Sequence, residues 1–247
     1  MEDYLLRDLD WEELKMKKLL LSLLCLGMCM GVVGCSNNEE NNKNNKQQAS
    51  KEEKKTIQLS DKNWYCEKYE GNIITHFTVS FVNPNEHYQI NNIDYKITLL
   101  DNDGNVIDTS KTNLAANIYP KEKYTTGGIF YTSKKPSEVI YEITNEDTVN
   151  FHEPDDSYKQ NNYKLSKINK ITNDESLSIT GFVKNNTANK VTLAVAVLFY
   201  KDNKLVEVCN QLLEDVKPDK DTSFSINCYQ LSTEYDKYEV KAYKIDW

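Results

Sequence analysis

The chain has 247 residues, 28% of them Asp, Glu, Lys or Arg, and a formal net charge of −8. That length suits two small domains or one large one. An acidic balance without basic clusters argues against nucleic acid as a partner.

In chain order, the first stretch is MEDYLLRDLDWEELK (1–15), with six acidic side chains where a signal peptide carries positive charge. It also holds Arg7, the only arginine, and reads as a mis-assigned leader, with translation expected to start at Met16. Next comes MKKLLLSLLCLGMCMGVVGCSNN (16–38). Its apolar run from Leu19 to Val33 follows two lysines and stops at Cys35, short of the roughly 20 residues that span a bilayer. A positive start, a short apolar middle and a small residue at the end describe a signal peptide over 16–34.

Its end, Val32-Val33-Gly34-Cys35, resembles the lipobox of bacterial lipoproteins: a branched apolar residue, two small residues, then Cys. Val33 is bulkier than the residue usual at its place. The resemblance implies a diacylglyceryl group on the Cys35 thiol and cleavage before it. The chain would then sit at the cell membrane, lipid-anchored and facing outside the cytoplasm, with the membrane as partner through its N-terminal lipid. Residues 35–56 follow as the lipidated Cys and a linker. From Ser36 to Lys55 only Ala49 is apolar, so this segment is expected to be a disordered tether spanning roughly 25 Å.

Beyond the tether the hydrophobic period is two. IITHFTVSFVN (73–83) alternates Ile73, Phe77, Val79 and Phe81 against His76, Thr78 and Ser80, and IDYKITLL (93–100) alternates likewise. VTLAVAVLFY (191–200) is apolar on both faces, and TSFSINC (222–228) alternates again. Turn sequences separate these runs: NPNE, DNDGN, YPKE, KNNTAN, KDNK and KPDK. The second face of 191–200, with Thr192, Ala194, Ala196, Leu198 and Tyr200, is too apolar for open solvent. Its cover is either the second copy itself or the first.

The pattern repeats. FVNPNEHY through IYPKEKYTT, from Phe81, lines up with FVKNNTANK through VKPDKDTSF, from Phe182. The expected fold is therefore all-β: two tandem immunoglobulin-like antiparallel β-sandwiches behind a signal peptide and a disordered tether. The first occupies 57–146 and the second 162–247, with an acidic, strand-poor linker over 147–161, and each is expected to own a core. The second copy, ITGFVKNNTANK with VLFYKD and VKPDKDTSF, resembles the FxLYD-type domain of bacterial surface lipoproteins. Val197-Leu198-Phe199-Tyr200-Lys201 keeps the Tyr of the namesake motif, and Asp202 falls one place late. The resemblance covers both copies, Ile97-Thr98-Leu99-Leu100-Asp101 of the first keeping Leu and Asp, and it implies a fold and no chemistry.

Three cysteines, Cys66, Cys209 and Cys228, remain outside the leader and Cys35. Cys209 and Cys228 flank KPDK symmetrically, yet Cys228 alternates with apolar residues and Cys209 with Glu207. Facing opposite ways, they could pair only if a bulge intervened. Pairing stays open, with buried free thiols the favoured reading.

His76, His87 and His152 lie at unrelated spacings with no metal-ligand pattern. DNDGN (101–105) reads as a hairpin turn and not a calcium loop. No nucleophile elbow, P-loop, dinucleotide or zincin motif occurs. Sixteen tyrosines are strand residues or contact residues, with Tyr65, Tyr88, Tyr229 and Tyr238 the candidates for a binding surface. The expectation is a non-enzymatic binding or spacer module without cofactor or metal. A protein or cell-wall glycan is left open as the further partner. The alternatives are a transporter's solute-binding lipoprotein and, behind it, an envelope hydrolase.

Overall fold

The computed structural model describes residues 53–154, 162–172, 176–228 and 234–245. The segment read as a signal peptide, with Val32, Val33, Gly34 and Cys35, lies outside them, as does Tyr229. Residues 50–247 form one compact unit.

That unit is all-β: two tandem antiparallel sandwiches of immunoglobulin-like character. In the first, β1 (Gln58–Tyr69), β2 (Asn72–Val82) and β6 (Lys123–Thr132) make one sheet in the order β1-β2-β6. Facing it are β4 (Ile93–Leu100), β5 (Val106–Leu114) and β7 (Glu138–Ile143), ordered β5-β4-β7. A short pair, β3 (Gln89–Asn91) with β8 (Asn150–His152), closes one end. β8 falls inside the stretch read from sequence as linker, and Val149 and Phe151 pack on the first core. Phe77, Val79, Phe81, Ile97 and Leu99 meet between the sheets because a pleated strand sends every second side chain to one face.

The second sandwich repeats the plan. β9 (Tyr163–Thr172), β10 (Leu177–Asn185) and β13 (Asp221–Cys228) form β9-β10-β13. β11 (Val191–Lys201), β12 (Lys204–Val216) and β14 (Lys237–Ile245) form β12-β11-β14. Its core holds Ile179, Val183, Val195, Val197, Phe199, Phe224 and Ile226. β4 and β11 correspond residue by residue, since both lead into a hairpin whose register slips at the same place, between Leu99 and Leu100 and between Phe199 and Tyr200.

Two buried asparagines mark the repeat most sharply. Asn83 Nδ2 donates to the carbonyls of Tyr88 (2.7 Å) and Ile118 (2.8 Å), while its Oδ1 accepts the Asn85 amide (3.0 Å). Asn185 Nδ2 donates to Asn189 (2.8 Å) and Val216 (2.9 Å), and its Oδ1 accepts the Thr187 amide (2.9 Å). Each ties the end of a strand to the carbonyl two residues before a proline, Pro120 or Pro218. The residue after each proline, Lys121 (φ 62°) or Asp219 (φ 55°), is left-handed, as the third position of a type II turn requires.

This pairing corrects the alignment of Phe81 with Phe182. Asn83 matches Asn185, so Phe81 matches Val183, and both are core residues. Phe182 instead lies half-buried on the outer face, with the Lys167 ammonium 5.2 Å from its ring centre. A one-residue slip in a strand reverses every side chain.

The second face of β11 is covered by the first sandwich. Ala194 and Ile245 belong to the first core, and the backbone of Ile245 bridges to Ala116. Ala196 and Leu198 cluster with Leu205 and Val208, with Tyr200 and Tyr243 beside them. The Tyr243 ring lies 4.5 Å from that of Tyr124.

Candidate functional site

β12 crosses the outer face of β1-β2-β6, and the contact depends on a bare backbone at Gly127. A Cβ there would lie 2.7 Å from the Phe77 carbonyl oxygen and 3.2 Å from Val208 Cβ. Without it, Val208 settles directly on β6. On β1, Asn63 Nδ2 donates to the Leu205 carbonyl at 3.0 Å.

Between these contacts lies a cluster of ionisable groups that the two sandwiches build together. His76, on β2, is 1% exposed. Its Nδ1 is 2.6 Å from Glu207 Oε2 on β12, and its Nε2 is 3.1 Å from Glu67 Oε1 on β1. Tyr65 stacks on the imidazole at 4.4 Å, 8° from parallel, and donates its hydroxyl to Glu207 Oε2 at 2.8 Å. The other carboxylate oxygen, Oε1, accepts the Val208 amide at 2.9 Å.

Both imidazole nitrogens meet carboxylate oxygens, and the imidazolium form, which donates from both nitrogens to ionised carboxylates, satisfies both contacts. Burial is the largest influence on its pKa and pulls it down. The hydrogen bond and charge of Glu207, then those of Glu67, outweigh burial and hold the pKa above the ordinary histidine value.

The cluster is built as a joint. Its two carboxylates address opposite nitrogens of one ring, so the three side chains do not converge on a single point. Among the described residues, no group of three His, Cys, Asp or Glu side chains is placed to hold a metal ion. A general acid or base must come within hydrogen-bond reach of a substrate, and His76 is enclosed with both nitrogens engaged.

Sequence alone put His76 on a polar strand face. The face is right, and the second sandwich buries it. Glu67 and Glu207 were not singled out. The signal for Glu207 was a lone acid inside the apolar run LVEVC (205–209), and a bulge decides where it points. Phe199 pairs with Glu207 and Tyr200 with Leu205, leaving Val206 as the extra residue. The alternation resets there, so Glu207 and Val208 both reach the joint and Cys209 turns to the core.

The same bulge overturns the expectation of free thiols. Cys209 and Cys228 are bonded, with Cα atoms 5.8 Å apart. They lie in facing sheets, on β12 and β13, so two inward side chains meet across the core. Cys66 is the free cysteine among the described residues, half-buried, with Sγ 3.3 Å from Thr75 Oγ1.

The other singled-out residues have structural settings. Tyr65 belongs to the joint. Tyr88 is buried beside the Asn83 knot, with the Lys54 ammonium 5.4 Å from its ring centre. Tyr238 packs against Phe199 at 6.2 Å. Of these three Tyr88 is buried, and Tyr65 and Tyr238 are half-buried. His87 and His152 are exposed. Asp101 organises its own hairpin turn, its Oδ1 accepting the amides of Asp103 (3.0 Å) and Asn105 (2.9 Å). Gly104 supplies the left-handed residue there (φ 79°). The amide of Asn105, then that of Asp103, holds the Asp101 carboxyl below its ordinary value.

No protein-family model and no curated protein matches the chain.

Proposed function

We propose that this chain is a lipid-anchored protein facing outside the cytoplasm, with its two joined sandwiches serving as a non-enzymatic binding or spacer module. The observation that carries this reading is the apolar run ending at Val32-Val33-Gly34-Cys35, followed at once by a polar segment. Two acyl chains, at ~0.8 kcal/mol per buried methylene, hold a folded unit on a bilayer without a spanning helix. The joint favours a spacer or binding role over catalysis: its histidine is enclosed and its polar groups are engaged with one another.

Metabolic labelling with a fatty acid tests the anchor. The chain incorporates label and partitions into detergent, whereas Cys35→Ala loses the label and leaves the detergent phase. A Cys35→Ala variant that keeps either property overturns the anchor.

A further inference from the structure

His76 is the point at which one ionisable side chain bridges the two sandwiches. We propose that the Glu67–His76–Glu207 bridge is a proton-controlled latch on the joint, tight while the imidazole carries both protons and loosened when it loses one. The proposal is independent of the anchor and of whatever the module binds.

The groups facing the ring are Tyr65 and Glu67 from β1 and Glu207 from β12. On β6 the register partner of His76 is Ile129, and the nearest titratable side chain on that face is Tyr131, one pair along opposite Ile74. One bond, to Glu67, stays within the first sandwich, and the other, to Glu207, crosses between the two. As an imidazolium the ring satisfies both carboxylates, and the trio carries one net negative charge. A neutral imidazole has a single N–H, so one carboxylate then faces a ring lone pair. The trio would carry two negative charges in a buried setting, where uncompensated charge is strongly unfavourable. The Tyr65 hydroxyl on Glu207 does not change with the proton, so it cannot restore the balance.

The direction follows from the raised pKa of His76. Unfolded, the group titrates near the ordinary value of about 6.5; detached, it loses Glu207, the larger of its two raising partners, and keeps Glu67. Below that value both states carry the proton and the latch contributes in full. Its contribution is lost as pH rises through the higher value of the closed joint. The joint is therefore tight at low pH and loosens as pH rises through the raised value, opposite to switches in which a buried neutral histidine becomes charged.

The test uses the compact unit 50–247 from about pH 5.5 to about pH 9.5, a window bracketing the ordinary histidine value. The imidazole resonance of His76, assigned by its disappearance in His76→Gln, gives its midpoint. Small-angle scattering on the same samples gives the radius of gyration. The expected result is a His76 midpoint above 6.5, with a radius that grows across that midpoint in the wild type and stays flat in His76→Gln. Glu207→Gln keeps an acceptor but removes the charge, so both midpoints should fall together, which preserves the test if His76→Gln does not fold. A radius constant through the His76 titration, the same expansion in His76→Gln, or an expansion midpoint unmoved in Glu207→Gln overturns the latch.

Discussion

The two sandwiches share one strand order but cover different outer faces. In the first, β4 turns Asp94, Lys96, Thr98 and Leu100 outward, and Lys96 pairs with Glu142 at 2.7 Å near solvent. The matching positions of β11 are Ala194, Ala196, Leu198 and Tyr200, covered by the first sandwich. The sheets bearing β2 and β10 differ in the opposite sense. β2 turns Ile74, His76, Thr78 and Ser80 to the joint, all buried, whereas the outer residues of β10, Ser178, Thr180, Phe182 and Lys184, are only half-buried. Each copy has kept one polar outer face and made the other a contact face. Because unlike sheets meet, the joint is head-to-tail, an arrangement that would propagate into a filament if every copy offered both contact faces. The two outer faces left over are the polar ones.

The joint's acid has a counterpart as well. At the first hairpin bulge Asp108 sits where Glu207 sits in the second, and each carboxylate accepts the next residue's amide, Thr109 at 2.7 Å and Val208 at 2.9 Å. An acid that serves its own bulge in one copy is, one methylene longer, bonded to a histidine across the joint in the other.

The largest effect expected from exchanging the two patterns is at Ala196. Ala196→Lys installs the residue of β4 on β11 and pushes an unpaired ammonium into the joint. Leaving a buried charge without a partner weakens a structure by roughly 3–5 kcal/mol. Calorimetry should then resolve two thermal transitions where the joined unit gives one, with a larger radius of gyration before the first. A wild-type transition and radius would mean that this face does not hold the copies together.

The disulfide separates the copies next. The positions of Cys209 and Cys228 correspond in the first sandwich to Ser110 and Phe130, so that core is closed by an aromatic ring and not by a bond. Nineteen residues separate the two cysteines, and a loop of that order contributes about 3 kcal/mol through the unfolded chain. Reduction should speed amide exchange in β10, β11 and β13 by about 100-fold, the factor set by that energy, while β2 and β4 slow-exchange amides change little. Equal acceleration in both copies would show that the second core cannot weaken alone.

What could be read in advance follows the same physics. β4 and β13 were legible because one face of each is buried and the other polar, which writes a clean alternation. The doubly apolar β11 showed that something covers it. Only the structure shows that the cover is the first sandwich, because a strand's pattern records that a face is buried and not by what. The bulge at Val206 left no sequence signal of its own, so Cys209, expected on the face of Glu207, turns instead to the core. Asn83 and Asn185 were missed for a different reason: asparagine at a strand end reads as a turn former, and its burial depends on carbonyls more than 30 residues away.

The smallest effect is the reverse exchange, and it isolates the cause of the asymmetry. Lys96→Ala gives β4 the residue of β11 and removes the pair with Glu142, whose partners are 37% and 46% exposed. An ion pair that open to water contributes at most about 1 kcal/mol, so the melting temperature should move by no more than a few degrees. The informative readout is association. If a polar outer face is what ends the head-to-tail series, Lys96→Ala combined with Thr98→Leu should self-associate detectably in sedimentation, with the new apolar face of β4 seeking a β1-β2-β6-type surface. That surface is already occupied in every folded copy, so association should be weak and should strengthen when Ala196→Lys frees it. If the triple variant stays monomeric at every concentration, the polar residues of β4 are not what limits the assembly to two sandwiches.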